Sequence, residues 1–308
     1  MRFRIGTRSS ALAMAQANLV RDLLRQVGTA SEVVPFQTQG DRILDRALDE
    51  IPGKGLFTTE LEQALSVGEV DCAVHSLKDL PVELTPGLTV GAYLPREDAR
   101  DALVSPHPVQ SLDDLPEGSV LGTSSVRRRA VVRGLRPDLR IVPVRGNLAT
   151  RIAKMEREGW DGLILAAAGL MRLGWHHRIS ALLDPSVVVP APGQGVVAVE
   201  IRADDAAVRN IVTRIHDSST AALAAAERAL LAELGGGCQI PLGAYAVWVD
   251  ARQFRLTAKI TATDGQRSTL AAAVGTDPVA TAEMVAQRLL ASGGQALLDG
   301  EQGASDAK

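Results

Sequence analysis

The sequence is poor in cysteine, aromatic residues and histidine. Two cysteines in 308 residues are too few for a disulfide framework, and Cys72 lies in an apolar run, so we expect a reducing compartment. Aromatic residues make up 3% of the chain, and without a nucleic-acid-binding motif this argues against a nucleic-acid partner. The 5 histidines lack the spacing of metal ligands, so the sequence predicts no metal site.

Long apolar segments are also missing. The chain starts with a strand pattern at Arg2–Ile5, and we find neither a secretory signal nor a run long enough to span a membrane. We therefore expect a cytoplasmic protein without a membrane partner. A Walker-type glycine loop and a Ser-His-Asp arrangement are absent too, so the sequence does not indicate a nucleotide site or a serine hydrolase.

Charge is unevenly distributed along the chain. The formal net charge is -3, yet the stretch from Arg100 to Gly193 holds 13 Lys and Arg against 9 Asp and Glu. A bias of this sequence toward arginine and alanine explains part of that count. The local positive excess in an acidic chain predicts an anion site in the middle of the sequence.

Three short patterns occur twice in the same order. The pairs are Ile5–Ser10 with Val120–Ser125, Gln39–Asp41 with Arg145–Asn147, and Asp71–Leu80 with Asp161–Leu173. Strand patterns alternate with helix patterns through both parts of the chain. We predict an α/β protein with two similar domains, whose strands are mainly parallel and whose strand carboxyl ends face a cleft.

Two stretches marked by proline and glycine predict crossings between these domains. Pro95–Asp98 leads into the second domain and Val189–Gly195 leads back, and such a double crossing is a natural hinge. The predicted boundaries are residues 1–95 and 196–216 for domain 1, 99–190 for domain 2, 218–292 for a small α+β domain 3 at the C-terminal side, and 293–308 for a frayed tail.

Cys238 lies in an unusual stretch, Leu234–Gly243, where three glycines precede it. Glycine permits positive φ angles and close approach of the backbone, so these residues present the thiol on a bare loop. An alanine-rich helix predicted over Thr220–Leu234 leads into this loop. An unreacted loop cysteine is the simpler interpretation when the loop is taken by itself.

Arginines occur at the predicted helix starts. Arg8 sits in a Gly-Thr-x-Ser-Ser turn, Arg127–Arg129 follow a Gly-Thr-Ser-Ser turn, and Arg145 and Arg151 lie around a Gly-Asn turn. Helix N-termini and guanidinium groups both bind carboxylates, so we predict a ligand with several carboxylates in the cleft. The alternative for Arg127–Arg129 is a solvated helix face, and we expect at least one of the three to face solvent.

Asp79 is the candidate acid. It follows the predicted strand Asp71–His75, with Lys78 beside it. A carboxylate at this end of the strand would face the cleft, where it could pass a proton or stabilise a cation. A helix-capping aspartate is the alternative. We predict that His75 is a strand residue rather than a ligand and that Cys72 belongs to the core.

Seven short motifs follow one another along the chain. They are Thr7–Gln16, Gly53–Phe57, His75–Pro81, Gly122–Arg128, Arg145–Asn147, Pro192–Gly195 and Gly236–Gln239. Each motif is weak by itself, but the ordered set resembles the porphobilinogen deaminase family. The resemblance runs from about Ile5 to about Leu290.

This resemblance implies two periplasmic-binding-protein-like domains with a hinge, and a third domain that carries the cysteine. It implies a transferase that condenses four porphobilinogen molecules head to tail with loss of ammonia, then releases the linear tetrapyrrole hydroxymethylbilane by hydrolysis. Cys238 is implied to hold a dipyrromethane cofactor through a thioether. Each pyrrole brings an acetate and a propionate, so the growing chain would account for the arginines. We expect a monomer.

Roles of individual residues also follow from the resemblance. Asp79 would assist departure of the amino group, stabilise the resulting cation and take up a proton. The residues implied to bind the cofactor are Cys238, Lys78, Asp79, Thr123, Ser124, Ser125, Arg127, Arg128, Arg145 and Gly146. The residues implied to bind substrate are Arg8, Ser10, Gln16, Ser76, Arg145, Arg151, Arg172, Gln194 and Lys54.

Two alternatives differ in their chemistry. A non-catalytic polycarboxylate-binding module of the solute-receptor type would bind its ligand reversibly and leave no added mass on Cys238. A transferase that used Cys238 as its nucleophile would need a base nearby. The nearest histidine in sequence, His216, precedes the intervening helix.

Overall fold

The computed structural model describes residues 2–38, 40, 58–235 and 240–298. The strands are β1 Phe3–Arg8, β2 Ser31–Phe36, β3 Cys72–Ser76, β4 Leu88–Tyr93, β5 Asp101–Val104, β6 Val120–Gly122, β7 Arg140–Val142, β8 Gly162–Ala166, β9 Ala181–Leu182, β10 Val197–Arg202, β11 Leu242–Trp248, β12 Phe254–Thr261 and β13 Ser268–Gly275. The helices are α1 Ala11–Gln26, α2 Thr59–Ser66, α3 Val126–Leu135, α4 Leu148–Glu158, α5 Ala167–Arg172, α6 Ala206–Val212, α7 Ser218–Glu233 and α8 Pro278–Leu289. Within these ranges we find no helix with the length and apolar character needed to cross a membrane.

The first sheet has the strand order β2-β1-β3-β10-β4. β1 runs parallel to β2 and β3, whereas β10 is antiparallel to both of its neighbours. Ser10 caps α1 by accepting a hydrogen bond from the Ala13 N–H at 3.3 Å. Val20 and Leu24 of this helix pack against Ile5 in the core. The N-terminus of α1 therefore lies at the same sheet edge as the carboxyl ends of β1 and β3.

The second sheet repeats this arrangement with the order β7-β6-β8-β5-β9. β6 holds the position of β1, and β5 holds the position of β10, so the predicted repeat of Ile5–Ser10 in Val120–Ser125 is confirmed. The expectation of mainly parallel strands is confirmed, because four of the five strands in each sheet run in the same direction. The exceptions are β5 and β10, which lie inside their sheets and form antiparallel ladders on both sides. Each of these two strands follows a crossing from the other domain, which sets its direction.

The two predicted crossings lie side by side. The Glu97 N–H donates to the Gly195 carbonyl at 3.0 Å, and Arg96 Nε donates to the Gln194 carbonyl at 3.0 Å. Gly195 has φ +87°, and a side chain there would collide with the Glu97 carbonyl. Glycine is therefore required for the crossings to pair this closely.

The third sheet, β11-β12-β13, is antiparallel, and α7 and α8 pack against it. Phe254 and Leu230 belong to the core between the sheet and these helices. The chain from residue 293 to 298 is not the frayed segment that we predicted, because Leu297 and Leu298 are buried in this core. The prediction of two α/β domains with a smaller α+β domain is confirmed, while the boundaries between them stay a prediction.

Candidate functional site

A cleft lies where β1, β3 and the N-terminus of α1 meet. Its lining residues are Arg8, Ser10, Leu12, Ala13, Gln16, Thr58, Val74, His75, Ser76 and Asp79. Half of them were predicted from the sequence as catalytic or substrate-binding residues, and the first domain brings them together. These are Arg8, Ser10, Gln16, Ser76 and Asp79.

Asp79 is the exposed last residue of a short 3₁₀ turn, Leu77–Asp79, that follows β3. Leu77 and Leu80 on either side are buried, so the turn is held by its flanks while the carboxylate lies on the cleft wall. A helix-capping aspartate would stand before the first turn, and Ser76 has that place. The capping alternative for Asp79 is therefore wrong.

Gln16 and Ser76 complete this wall of the cleft. The Gln16 amide Nε2 donates to Ser76 Oγ at 2.8 Å, which joins α1 to the end of β3. Gln16 is 2% exposed although it is polar. This hydrogen bond supplies a partner for the buried amide and holds the helix start against the strand that leads to the acid.

Lys78 lies beside Asp79 in the 3₁₀ turn and is half-buried. Its Nζ donates to Gln194 Oε1 at 3.2 Å. Burial lowers the pKa of Lys78 to about 8, repulsion from Arg128 lowers it too, and attraction to Asp79 opposes the shift. The ammonium is therefore only partly protonated near pH 8, and a bound carboxylate would restore its full charge.

Arg151 lies within electrostatic reach of Asp79 and of arginines from both domains. Burial lowers the pKa of Arg151 to about 10, and repulsion from Arg128, Arg145 and Arg8 adds to the effect, while attraction to Asp79 opposes it. Arg8 belongs to the first domain and the other arginines to the second. The space between the domains is thus lined with positive charge, which suits a ligand with several carboxylates.

Hydroxyl groups of the second domain hold the start of α3. Ser125 caps the helix by accepting from the Arg128 N–H at 3.4 Å, and Thr123 Oγ1 accepts from the Ser125 N–H at 3.3 Å. Ser124 Oγ donates to the Val144 carbonyl at 2.7 Å and accepts from the Val144 N–H at 2.9 Å. The predicted cofactor-binding triplet Thr123–Ser125 therefore shapes the loop that leads into α3, the helix of Arg127 and Arg128.

Gly146 contributes through its backbone. It has φ +100°, and a Cβ there would meet the Thr150 side chain at 2.8 Å. Its carbonyl accepts from Arg151 Nε at 2.8 Å, and the next residue, Asn147, caps α4. The turn thereby fixes the direction of the Arg151 guanidinium.

Arg127 and Arg128 do not form the solvated helix face that was one interpretation of the arginine run. Both are buried, and their Nη2 atoms donate to the two carboxylate oxygens of Asp101, each at 2.7 Å. Burial alone would raise the pKa of Asp101, but the two guanidinium groups lower it overall. Arg129 is partly exposed, as expected for at least one of the three. We missed Asp101 in the sequence because it reads as the polar start of an apolar strand.

Gln194, predicted to contact substrate, is 1% exposed. Its Nε2 donates to the Ala99 carbonyl at 2.7 Å and to Asp101 Oδ1 at 2.9 Å, while Oε1 accepts from Lys78 and, at 3.4 Å, from Arg128. The amide therefore connects the turn of Asp79 to the buried charges of the second domain. Ligand contact by Gln194 and by the two buried arginines stays a prediction, since the structure gives each of them protein partners.

Three further predicted residues are Arg172, Lys54 and Cys238. Arg172 donates from Nη2 to the Gly195 carbonyl at 2.6 Å, and burial lowers its pKa. Lys54 and Cys238 lie outside the described residues. Cys72 is 0% exposed, and burial raises the pKa of its thiol, so it is the core residue that we predicted and a poor nucleophile.

His75 has a partner that we did not anticipate. Its Nε2 lies 3.1 Å from Glu200 Oε2, and both side chains are buried. The pair joins β3 to β10 at the wall of the cleft, and His75 is the strand residue that we predicted. Glu200 could not be linked to His75 from the sequence because the two residues are far apart along the chain.

Comparisons with known proteins show which family the chain resembles. A family model described as porphobilinogen deaminase, dipyromethane cofactor binding domain, matches residues 3–210, and a second, porphobilinogen deaminase, C-terminal domain, matches residues 221–292. Porphobilinogen deaminase of Burkholderia thailandensis is 47% identical over 96% of this chain and 91% of its own length. That of Thiobacillus denitrificans is 46% identical over 96% of this chain and 97% of its own length.

Solved structures of lower similarity include periplasmic proteins. The Bordetella pertussis BvgS VFT2 domain is 14% identical with TM-score 0.41, and it covers 70% of this chain and 85% of its own. A periplasmic substrate-binding protein of an ABC transporter from Coxiella burnetii is 13% identical with TM-score 0.40 over 73% of this chain and 96% of its own. With both family models spanning most of the sequence and relatives close to half identical, the chain belongs to the porphobilinogen deaminase family.

Proposed function

We propose that this chain condenses four porphobilinogen molecules head to tail, with loss of ammonia at each step, and releases hydroxymethylbilane by hydrolysis. The observation that carries the proposal is the cleft in which an exposed carboxylate, Asp79, faces cationic side chains from two domains. A substrate with an acetate and a propionate on each pyrrole would match those cations. The relatives' names support catalysis over the non-catalytic solute-receptor alternative.

The residues of the cleft fit a dipyrromethane cofactor. Arg151 and Lys78 are half-buried cations whose pKa values are both lowered by burial, and each is stabilised when a carboxylate approaches. We propose that Cys238 holds the group through a thioether, since the other cysteine, Cys72, is buried among strands. When bound, the cofactor supplies the pyrrole carbon to which the first substrate is joined.

Asp79 is proposed as the catalytic residue. An ionised carboxylate can accept hydrogen bonds from the pyrrole N–H and stabilise the positive charge left on the substrate when ammonia departs. The same group can hold the proton that a pyrrole carbon loses after the new bond forms. The rigid flanks of its turn, Leu77 and Leu80, keep the carboxylate in place through repeated additions.

The cations bind and orient the substrate carboxylates in this proposal. Arg8 and Lys78 act from the first domain, and Arg145 and Arg151 from the second, so that a bound carboxylate chain bridges both. Guanidinium groups bind carboxylates through two parallel hydrogen bonds, which fixes the direction of a ring as well as its position. Ser10, Gln16 and Ser76 would supply neutral contacts on the wall of the first domain.

The nucleophilic-cysteine alternative has little support. His216, the nearest histidine along the chain, accepts at Nδ1 from the Tyr93 N–H at 3.2 Å. That nitrogen is engaged with the backbone of the first domain and is not available as a base.

We also propose that the protein is a cytoplasmic monomer without nucleic-acid or membrane partners. The scarcity of cysteine supports the cytoplasmic location, and light scattering of the purified protein would test whether it is a monomer.

Intact-protein mass spectrometry combined with a turnover assay tests the proposed function. The purified protein should carry the added mass of two linked pyrroles, and porphobilinogen should yield ammonia and hydroxymethylbilane in a ratio of about four to one. A protein that binds porphobilinogen reversibly, without added mass and without ammonia release, would be the non-catalytic module instead.

A further inference from the structure

We propose that Arg228, on α7 of the third domain, is a positioning residue for Asp79. The inference rests on the proposed function, in which Asp79 acts on the substrate. Arg228 does not line the described cleft. It would act through the backbone that follows the acid, and it thereby makes the third domain part of the catalytic arrangement.

The guanidinium of Arg228 is bonded to consecutive carbonyl groups. Its Nη2 donates to the Pro81 carbonyl at 2.8 Å and to the Val82 carbonyl at 2.9 Å, and Nη1 lies 3.5 Å from the Leu80 carbonyl. This segment starts directly after Asp79 and has no regular secondary structure. Several fixed donors on one planar group can hold such an irregular backbone, whereas an ammonium lacks that geometry.

The face of α7 that carries Arg228 also packs against the turn Leu77–Asp79. Ala224 lies one helical turn before Arg228, so the two side chains share a face of the helix. Ala224 is buried in a cluster with Leu77 and Leu80, the residues on either side of the Lys78–Asp79 pair. Apolar packing and carbonyl hydrogen bonds from one helix therefore clamp both flanks of the acid.

This helix also leads to the proposed attachment point of the cofactor. α7 ends at Glu233, and Cys238 follows shortly after it in the chain. One rigid element thus holds the backbone of the acid and directly precedes, in the chain, the segment that contains Cys238. A small displacement of a catalytic group is costly: about 1 Å can lower a rate by on the order of 100-fold.

The test compares Arg228→Gln and Arg228→Lys with wild type and with Arg288→Gln. Arg288 is the matched control, because it also donates to a backbone carbonyl in the third domain, that of Ala272, and is remote from the turn of Asp79. In the holoenzyme, Arg228→Gln should lower kcat for porphobilinogen by roughly 10- to 100-fold, with KM changed less than about 3-fold. The kcat of Arg228→Lys should lie between those of Arg228→Gln and wild type, and the kcat of Arg288→Gln should equal that of wild type.

Hydrogen exchange of the same proteins separates positioning from general instability. Backbone amides in residues 77–84 should exchange faster in both Arg228 variants, while peptides of the second domain stay unchanged. Loss of kcat without faster exchange in 77–84, or folded and loaded variants with wild-type kcat, would overturn the proposal. If Arg228→Gln does not fold, the lysine variant carries the same two readouts. Wild-type protein without added mass or turnover would instead count against the proposed function.

Discussion

Glu227 and Arg96 form a buried ion pair between the third domain and the first crossing, with Nη1 and Oε1 2.6 Å apart. Glu227 is 0% exposed, and its oxygens also accept from the Gly193 N–H at 2.7 Å and the Ala246 N–H at 2.8 Å. The Arg96 guanidinium lies 4.8 Å above the Tyr245 ring. One carboxylate therefore joins both crossings to the third sheet.

Glu227→Gln should destabilise the protein strongly. The amide leaves the buried guanidinium of Arg96 without a counter-charge, and breaking such a pair costs about 3–5 kcal/mol. Urea unfolding of the purified variant measures this change. Glu158→Gln is the control, because Glu158 pairs with Arg157 at the exposed surface and should change stability by less than about 0.5 kcal/mol. Equal stabilities of the two variants would contradict the assigned importance of the buried pair.

Asp79→Asn should leave a folded, cofactor-loaded protein with very low turnover. The amide keeps the size of the side chain but cannot hold a proton or balance a cation, and loss of such a group lowers kcat by about 10²- to 10⁴-fold. Steady-state kinetics and intact mass measure the two effects. Asp113→Asn, at an exposed position of the second domain, should retain wild-type rates. A fast Asp79→Asn variant would remove this residue from the mechanism.

Substrate capture should weaken as Lys78 loses its proton. The pKa of Lys78 is about 8, below its ordinary 10.5, so the attraction for carboxylates is present below that pH and is lost above it. In Lys78→Arg the charge persists, and kcat/KM should fall less than in wild type between about pH 8 and about pH 10. Lys154→Arg serves as the control. If kcat/KM of wild type and of Lys78→Arg fell equally with rising pH, the role of Lys78 in substrate capture would be refuted.

The same lowered pKa sets the sign of an effect on stability. The unfolded chain binds the Lys78 proton more tightly than the folded protein does. Lys78 therefore lowers stability at pH values below about 8, and this cost diminishes as the pH rises through the folded-state pKa. Lys78→Met should remove the cost, so its gain in urea midpoint relative to wild type should be larger at pH 7 than near pH 10.

Only one of the two cysteines should carry the cofactor. Cys238→Ser should lack the added mass of two pyrroles, whereas Cys72→Ala should retain it, since Cys72 is 0% exposed in the first sheet. Cys72→Ala should lose some stability through the small cavity that it leaves. Intact-protein mass spectrometry distinguishes the variants. Added mass on Cys238→Ser would show that attachment occurs elsewhere.

The repeat and the individual elements were open to prediction because they depend on local patterns. Ile5–Ser10 and Val120–Ser125 each combine a strand, a turn and capping serines, and these signals need no knowledge of distant residues. The antiparallel positions of β5 and β10 could not be predicted in this way. They depend on where a crossing returns to a sheet, and residues far apart in sequence decide that.

Residue chemistry at the cleft was also open to prediction, but the partners of each charge were not. Arg8, Asp79 and Lys78 stand at strand ends that any parallel arrangement would direct toward the cleft. Arg127 and Arg128 are adjacent in sequence, and from their charge alone we predicted either ligand binding or exposure to solvent. Their burial against Asp101 follows from packing between α3 and the start of β5.

The sequence by itself determined the alternating strands and helices, the repeated α/β architecture, and the number and positions of the cationic residues. Periodicity and composition can be read from the chain without knowledge of which residues meet in space. Tertiary structure decided which cations face the cleft, which pair with Asp101 or Glu227, and which helix supports Asp79. Those choices depend on desolvation and on distances between residues that are remote in the chain, and only the folded arrangement sets both.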